Sequence, residues 1–309
     1  EYDAKGQRLS VRYGNGLVSR YFYEPETYRL IRAVTAGTDP AAGALQDLHY
    51  FYDPAGNITQ IRDDAQQTYF FRNSVVKPEQ RFEYDALYQL IRASGREHAG
   101  MPNDAVRGGG DADFLAPLPH PNDAGAVRTY TEEYEYDLLG NLKRLRHRCG
   151  GQGGAAGSGW TRHYRYAYEN DPADRTNRLA AASAPGDTED GPYSAAFGYD
   201  AYGNMTKMPH LAEMGWDVMD RLHKVNLGGG GTAYYVYAGD GRRVRKVIER
   251  PGGMRAERIY LGALELYREW QDGGAPRLER KTVHISDQAG RIAQVDVKLR
   301  DDRNEDPAN

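Results

Sequence analysis

The chain has 309 residues, and its 40 Lys and Arg against 44 Asp and Glu give a formal net charge of −4 at pH 7. This balance excludes the strongly basic surface that attracts nucleic acid, and no apolar run approaches the roughly 18 residues of a membrane span. The single cysteine excludes an internal disulfide framework. We therefore expect no nucleic-acid partner and no direct insertion into a membrane.

Tyrosine and glycine dominate the composition. The chain has 24 Tyr against 7 Phe and contains 36 Gly, while its mean hydropathy is −0.78. Tyrosine favours strands and can bury its ring while its hydroxyl stays among polar groups. Glycine adopts the positive φ angles of tight turns. Together these features predict an all-β chain of many short strands that form a thin, hydrated sheet.

A short motif recurs along the chain: an aromatic residue, any residue, a second aromatic residue and then an acidic turn. Residues i and i+2 of a strand share a face, so each copy predicts an aromatic stripe on one face. The gaps between copies range from 17 residues (199 to 216) to 52 residues (84 to 136), which indicates a repeat that tolerates insertions. In chain order, the second aromatic residues are Tyr2, Tyr23, Tyr52, Tyr84, Tyr136, Tyr166, Tyr199, Trp216 and Tyr237.

The acidic residue after the second aromatic begins a predicted turn. A type I turn favours Asp at its first position, Pro at its second and Gly at its fourth, and Asp53-Pro54-Ala55-Gly56 has all three. A glycine with positive φ then forms a G1 bulge and returns the chain as a β-hairpin. We assign these positions to the repeat: Tyr2, Asp3, Gly6, Tyr23, Tyr52, Asp53, Gly56, Tyr84, Asp85, Tyr136, Asp137, Gly140, Tyr199, Asp200, Gly203, Trp216, Asp217, Tyr237 and Gly241.

The strands that follow the turns break the simple alternation. Ile58 and Ile61 are three residues apart, and so are Leu142 and Leu145. Residues on one face of a regular strand are two apart. This spacing indicates apolar residues on both faces of the return strands. The pattern does not determine which face is the inner one.

Three segments interrupt the repeat, near residues 98–128, 150–159 and 183–192. The first contains three consecutive Gly and a Pro-rich run, the second consists almost entirely of small residues, and the third is acidic. Since the motif resumes after each segment, we predict three long hairpin loops within a single repeat segment that spans residues 1–309. The chain opens inside a copy of the motif at Glu1-Tyr2-Asp3, so we expect it to be a fragment of a longer protein.

The candidate chemical groups do not form a recognisable site. Adjacent carboxylates such as Glu132-Glu133 would point to opposite faces of a strand, so they cannot work as an acid–base pair. The histidines lack the spacing of a metalloprotease motif, and Cys149 is interpreted as a spectator thiol. We predict no catalytic residues, no cofactor-binding residues, no metal ligands and no cofactor.

In several short stretches of its sequence, the chain resembles the YD-repeat, or Rhs, proteins. The run Tyr52-Asp53-Pro54-Ala55-Gly56-Asn57 carries the broad resemblance. The run Lys77–Glu97 is similar, more narrowly, to the C component (TccC type) of bacterial insecticidal Tc toxin complexes. Trp216-Asp217, Gly239–Val244 and Tyr260–Leu266 fit the same region. The resemblance spans nearly the whole chain and is weakest in the three loops.

The resemblance implies a secreted toxin component without enzymatic activity in this segment. In that family the hairpins form a curved strip of a hollow shell, and the shell encloses a C-terminal toxic effector until delivery. The implied partners are the B component of the shell, a pore-forming A component reached through it, and the enclosed cargo. The family's self-cleaving aspartyl protease core lies downstream. It has no counterpart here, since no Asp-Pro-x-Gly-Leu run occurs and Asp53-Pro54-Ala55-Gly56-Asn57 is a repeat turn.

Two other functions use the same repeat. The chain would serve as a cell-surface adhesion or recognition module if its aromatic residues contacted glycans or a partner. It would also fit the Rhs wall of a contact-dependent antibacterial effector, which shares the shell architecture but not the delivery machine. The run Lys77–Glu97 favours the Tc toxin over this second alternative.

Overall fold

The computed structural model describes residues 1–71, 74–98, 125–150, 159–170, 175–184, 186–288 and 290–304. Strands account for 59% of the chain and helix for about 3%, which confirms the all-β prediction. The chain divides into two compact units, Glu1–Ser194 and Ala195–Asn309. Most of the loops predicted near 98–128 and 150–159 lies outside the described residues, and the organisation as a single repeat segment stays a prediction.

The first unit is built on one antiparallel sheet. Its strands follow the order β1-β2-β3-β4-β5-β8-β9-β10-β11-β12-β13, while β6 and β7 form a separate hairpin. The strands are β1 (Ser10–Arg12), β2 (Val18–Tyr23), β3 (Leu30–Ala36), β4 (Ala44–Tyr52), β5 (Ile58–Asp63), β6 (Tyr69–Phe71), β7 (Ser74–Val76), β8 (Glu79–Tyr84), β9 (Leu90–His98), β10 (Val127–Tyr136), β11 (Leu142–Cys149), β12 (Gly159–Tyr166) and β13 (Leu179–Ala182), with a 3-10 turn at Pro40–Ala42 and a short helix α1 (Ala167–Asn170).

The second unit contains a sheet of eight strands in sequential order, β17 to β24, and the hairpin β15–β16. Its small core consists of Met214, Val225 and Ala233, against which Met205, Leu222 and other partly buried apolar residues pack. The strands are β14 (Ala195–Ala196), β15 (Gly198–Tyr199), β16 (Met205–Lys207), β17 (Glu213–Trp216), β18 (Leu222–Asn226), β19 (Thr232–Tyr237), β20 (Arg243–Glu249), β21 (Met254–Leu261), β22 (Leu264–Gln271), β23 (Leu278–Asp287) and β24 (Gly290–Asp301), with a 3-10 turn at Gly228–Gly230.

A bulge in the return strands explains their three-residue spacing. Tyr52 lies opposite Ile58 and Tyr50 lies opposite Ile61, with a register shift between the two pairs. Since directly opposed residues share a face, Ile58 and Ile61 lie on the same face as the two tyrosines. The prediction that these apolar residues occupy both faces was therefore wrong, because the sequence pattern does not reveal the extra residue in the return strand.

The same register recurs in the other hairpins. Tyr136 lies opposite Leu142, and Tyr134 lies opposite Leu145. In the second unit, Trp216 lies opposite Leu222 and again precedes a register shift. Each aromatic pair thus meets an apolar partner on one face, which we call the tyrosine face of the sheet.

The last strand, β24, leaves an apolar edge on the second unit. It is 12 residues long and pairs only with β23 within the described chain. Val295, Val297 and Leu299 alternate along it and are 47%, 41% and 54% exposed. A long edge strand with exposed apolar side chains is a template for pairing with another strand.

We expect the isolated chain to self-associate through β24. A lysine on an edge strand opposes further pairing, so Val297→Lys should reduce association at high protein concentration. Val236→Lys, at an exposed position inside the sheet on β19, is the matched control and should leave association unchanged. Sedimentation velocity over a concentration series measures the effect, and equal association of all three proteins would contradict this role for the edge.

Candidate functional site

The repeat turns are fixed by the carboxylate of their first residue. Asp53 Oδ1 accepts hydrogen bonds from the backbone N–H groups of Gly56 (2.7 Å) and Asn57 (2.9 Å). The amide of Asn57 donates to the other carboxylate oxygen at 2.8 Å. Matching bonds join Asn141 to Asp137 and Asn204 to Asp200. The asparagine that often follows the glycine is therefore part of the turn, a role that the sequence motif had not revealed.

The fourth turn position adopts positive φ whether or not it is glycine. Gly56 has φ 107°, as the motif predicts, but Tyr88 and Asp220 occupy the equivalent positions with φ 62° and 55°. The backbone N–H groups of Tyr88 and Asp220 donate to the backbone oxygens of Asp85 and Asp217, as that of Gly56 does to the backbone oxygen of Asp53. A search for glycine at the fourth position therefore finds only some of the turns. In the other two, the carboxylates of Asp85 and Asp217 each accept two backbone hydrogen bonds, which hold the same turn conformation.

The second aromatic residue of most repeats binds the preceding repeat. The Tyr52 hydroxyl donates to the backbone oxygen of Leu30 at 2.7 Å, and Leu30 is the residue opposite Tyr23 in the previous hairpin. We call this contact the repeat clamp. It recurs from Tyr23 to Arg8, from Tyr84 to Ile58, from Tyr136 to Leu90, from Tyr166 to Leu142, from Trp216 Nε1 to Met205 and from Tyr237 to Leu222, at 2.8 to 3.0 Å.

The repeat clamp accounts for the restriction of the second aromatic position to Tyr or Trp. The first aromatic position of the motif includes Phe82, Phe197 and Met214, none of which carries a donor, whereas the second position is always Tyr or Trp. Only those two aromatic side chains combine a large apolar ring with an O–H or N–H donor. The second position therefore needs a ring that packs on the sheet and a donor that satisfies a backbone carbonyl beside a bulge.

Four of the turn carboxylates, those of Asp53, Asp137, Asp200 and Asp217, have lowered pKa values. The hydrogen bond from Asn57 lowers the pKa of Asp53, and backbone donors add to this effect. Burial raises the pKa of Asp137, but hydrogen bonds from Tyr168 and Asn141 outweigh it and lower the pKa to about 2. A carboxyl group with a lowered pKa in the folded state stabilises the fold when it is ionised, and this contribution is lost as the pH falls through the folded-state pKa.

We expect Asp137→Asn to remove part of the acid sensitivity of the first unit. The ordinary Asp pKa is about 3.9, so the ionised carboxylate stabilises the fold above about pH 4 and loses this effect as the pH falls towards 2. The melting temperature of the variant should lie below that of the unmodified chain at pH 7, and the gap should close near pH 2. The control Glu26→Gln, at an exposed residue, should show no gap, and a pH-independent gap for Asp137→Asn would contradict the assignment.

A buried polar cluster on the tyrosine face joins strands β9, β10 and β11. His147 Nε2 lies 3.2 Å from Glu97 Oε2, and His147 Nδ1 lies 3.3 Å from Glu132 Oε1. Arg128 donates to the other oxygen of Glu97 at 2.7 Å, and the buried Cys149 thiol also forms a hydrogen bond with Glu97. The cluster thus places one imidazole between two carboxylates, and a guanidinium and a thiol contact the first of these.

Aromatic rings enclose the imidazole of His147. Its ring centroid is 5.3 Å from that of Tyr130 and 5.2 Å from that of Trp160, and the Trp160 ring is nearly parallel to it at 7°. Burial lowers the pKa of His147, but the hydrogen bonds and negative charges of Glu132 and Glu97 outweigh this effect and raise it to about 9. Burial and the neighbouring Glu97 raise the pKa of Cys149 to about 11. At neutral pH the cluster therefore holds an imidazolium and a neutral thiol.

This cluster was not predicted from the sequence. His147 was grouped with the other scattered histidines and Cys149 was interpreted as a spectator thiol, because Glu97 lies 50 positions before His147 (97 to 147) and the strand register that joins them is not visible in the sequence. The i, i+2 spacing of His147 and Cys149 was the available signal, since it places both on one face of a strand.

The adjacent carboxylates separate as predicted. Glu132 contacts His147 on the tyrosine face, whereas the neighbouring Glu133 lies 3.7 Å from Arg148. Asp63 Oδ1 instead accepts from the backbone N–H of Asp47, while Asp64 pairs with Arg62. None of these described pairs converges on a shared site.

None of the described helices has the length and hydropathy of a membrane span.

Known proteins similar in sequence are toxin subunits. The chain is 36% identical to toxin subunit YenC2 of Yersinia entomophaga over 310 residues, which cover 96% of the chain and 29% of the relative. It is 34% identical to toxin subunit YenC1 of the same organism, covering 85% of the chain and 26% of the relative. The chain therefore spans less than a third of these relatives. No family model matches it.

Solved structures with the same fold are Tc toxin assemblies. The chain aligns over its whole length with 14% of a chain in the TcdB2–TccC3 crystal structure, with a TM-score of 0.74 and 30% identity. It aligns equally completely with 14% of a chain in the Photorhabdus luminescens Tc holotoxin pore, with a TM-score of 0.73 and 30% identity. These similarities and the repeat geometry identify the chain as a TccC-like member of the Rhs/YD-repeat proteins of Tc toxins.

Proposed function

We propose that this chain is a wall segment of a secreted toxin and that the wall encloses a C-terminal toxic effector before delivery. The repeat clamp is the observation that carries the proposal. Each clamp joins one hairpin to the preceding one through a backbone carbonyl, so the sheet can extend hairpin by hairpin without a deep core. A continuous sheet of this kind suits a wall better than a compact catalytic domain.

The low hydrophobic content supports the same role. Only 13 apolar residues of the described chain are buried, and most of them are small, such as Ala93, Ala182 and Ala233. Aromatic rings, strand pairing and cross-strand ion pairs such as Arg128–Glu97 must therefore provide much of the stability. We infer that the segment carries no enzymatic activity of its own, and an intact mass that is unchanged after long incubation at acidic and neutral pH is the expected result.

The proposal includes the partners of the assembly. We infer that the segment adjoins a B component of the shell, that the shell docks on a pore-forming A component, and that the cargo lies against its inner face. The similar structures, a TcdB2–TccC3 complex and a Tc holotoxin pore, support this arrangement. The exposed edge of β24 offers a surface for further strand pairing.

Protease protection in the assembled toxin tests the proposal. The cargo should resist digestion at temperatures where the wall is folded. A variant with three weakened clamps, Tyr52→Phe, Tyr84→Phe and Tyr136→Phe, should lose this protection at a lower temperature than the unmodified toxin. Cargo that is digested equally fast in both proteins at every temperature would contradict enclosure by this wall.

The same preparations separate the proposal from an adhesion module. An adhesion module would bind target cells as an isolated chain and would leave the protection of cargo unaffected. The wall proposal predicts no cell binding by the isolated chain. Saturable binding of the isolated chain to cells, together with unprotected cargo, would favour adhesion instead.

A further inference from the structure

We propose that Glu97, His147 and Cys149 form a binding site for a zinc ion on the tyrosine face of the first sheet. His147 and Cys149 are buried and Glu97 is partly buried, and one potential ligand atom of each lies within 4.8 Å of those of the other two. Carboxylate oxygen, imidazole nitrogen and thiolate sulfur are all established zinc donors. Calcium and magnesium prefer oxygen ligands alone, so the imidazole and the thiol select against them.

The donor distances already approach those of a tetrahedral site. Zinc binds nitrogen and oxygen at about 2.0–2.2 Å, which places two such ligands about 3.3 Å apart. His147 Nε2 and Glu97 Oε2 are 3.2 Å apart. The sulfur of a bound thiolate would lie about 3.6 Å from each of them, so the Cys149 sulfur, within 4.8 Å of a potential ligand atom of both residues, has only to move closer.

The groups behind the donors support this orientation. Ligating histidines typically donate their other ring N–H to a carboxylate, which fixes the ring. His147 Nδ1 faces Glu132 in this way, and Tyr134 in turn donates to the second oxygen of Glu132. Arg128 donates to Oε1 of Glu97, whereas Oε2 is the oxygen that faces His147.

The charges around the site suit a divalent cation. Zinc ligands bind in their deprotonated forms, so His147 Nε2 and the Cys149 sulfur would carry no proton in the bound state. The zinc ion and the Arg128 guanidinium would then face the carboxylates of Glu97 and Glu132 and the Cys149 thiolate.

Bound zinc would connect strands that are not neighbours in the sheet. Glu97 lies on β9, whereas His147 and Cys149 lie on β11, and β10 separates these two strands. The metal would therefore add a cross-strand link where the described chain has little apolar core. We infer a zinc site with three protein ligands, whose fourth position takes water or another ligand.

Metal titration of the purified, chelator-treated protein tests the proposal. We expect one equivalent of zinc to bind and to raise the melting temperature. Cobalt substituted for zinc should give the charge-transfer absorption of a cobalt–thiolate bond, which reports Cys149 directly because the chain has no other cysteine. Cys149→Ser should abolish this absorption and weaken zinc binding by at least about a hundredfold.

Two further measurements keep the test decisive. His223→Gln, at an exposed histidine on β18, is the matched control and should leave zinc affinity unchanged. In the unmodified protein, zinc should slow alkylation of Cys149, a measurement that needs no variant to fold. The proposal would be overturned if the unmodified protein failed to bind zinc or showed no cobalt–thiolate absorption. It would also be overturned if a folded Cys149→Ser variant bound zinc with unaltered affinity.

Discussion

Gly231→Ala is expected to destabilise the second unit by about 3 kcal/mol or more. Gly231 has φ 95°, and a Cβ atom there would lie 1.9 Å from the backbone oxygen of Glu249. The substitution therefore combines a backbone conformation that alanine rarely adopts with a collision against backbone atoms. Neither the loop nor the end of β20 can relieve the contact by rotating a side chain.

The neighbouring glycines separate these two effects. Gly228 has φ 62° but no atom within 4 Å of its added Cβ, so Gly228→Ala should cost about 1 kcal/mol through strain alone. Gly229 has neither a positive φ nor a nearby atom, so Gly229→Ala should change stability by less than about 0.5 kcal/mol. Urea unfolding followed by tryptophan fluorescence gives the order of the three variants. Equal midpoints for Gly231→Ala and Gly229→Ala would contradict this loop conformation.

The hairpins were predictable from sequence because their signals are local. The aromatic pair, the acidic residue and the glycine lie within a few residues of one another, as at Tyr52, Asp53 and Gly56. Their spacing alone therefore predicts the strand, the turn and the bulge. The turn that ends at Tyr88 was harder to predict. There hydrogen bonds of Asp85 hold Tyr88 in the left-handed conformation, and no glycine marks this position in the sequence.

The contacts between hairpins were not predictable in the same way. The clamp from Tyr136 to Leu90 joins residues that are 46 positions apart in the sequence. The length of the segment between them follows no spacing rule. The cluster of Glu97, His147 and Cys149 depends likewise on the register of three strands. One trace of the clamp was visible nonetheless, since the second aromatic position contains Tyr or Trp and never Phe. That restriction would have predicted that the second aromatic position requires a hydrogen-bond donor.

The prediction that tests the repeat clamp most directly is a triple substitution. Tyr52→Phe, Tyr84→Phe and Tyr136→Phe keep each ring but remove the hydroxyls that donate to Leu30, Ile58 and Leu90. Loss of each hydrogen bond costs about 1 kcal/mol, because it leaves a partly buried carbonyl without that donor. The three clamps share no partner, so their effects should add to about 3 kcal/mol.

The first aromatic positions provide a control with the same chemistry. The hydroxyls of Tyr21, Tyr50 and Tyr164 have no hydrogen-bond partner within the described chain, and all three lie in the same sheet. Replacing these three tyrosines with phenylalanine removes as many hydroxyl groups but no clamp, so the first unit should lose less than about 1 kcal/mol in total. Denaturant unfolding of the two triple variants compares them directly. Equal destabilisation would mean that the motif needs aromatic rings alone, and that the second aromatic position is not restricted to Tyr or Trp by bonds between successive hairpins.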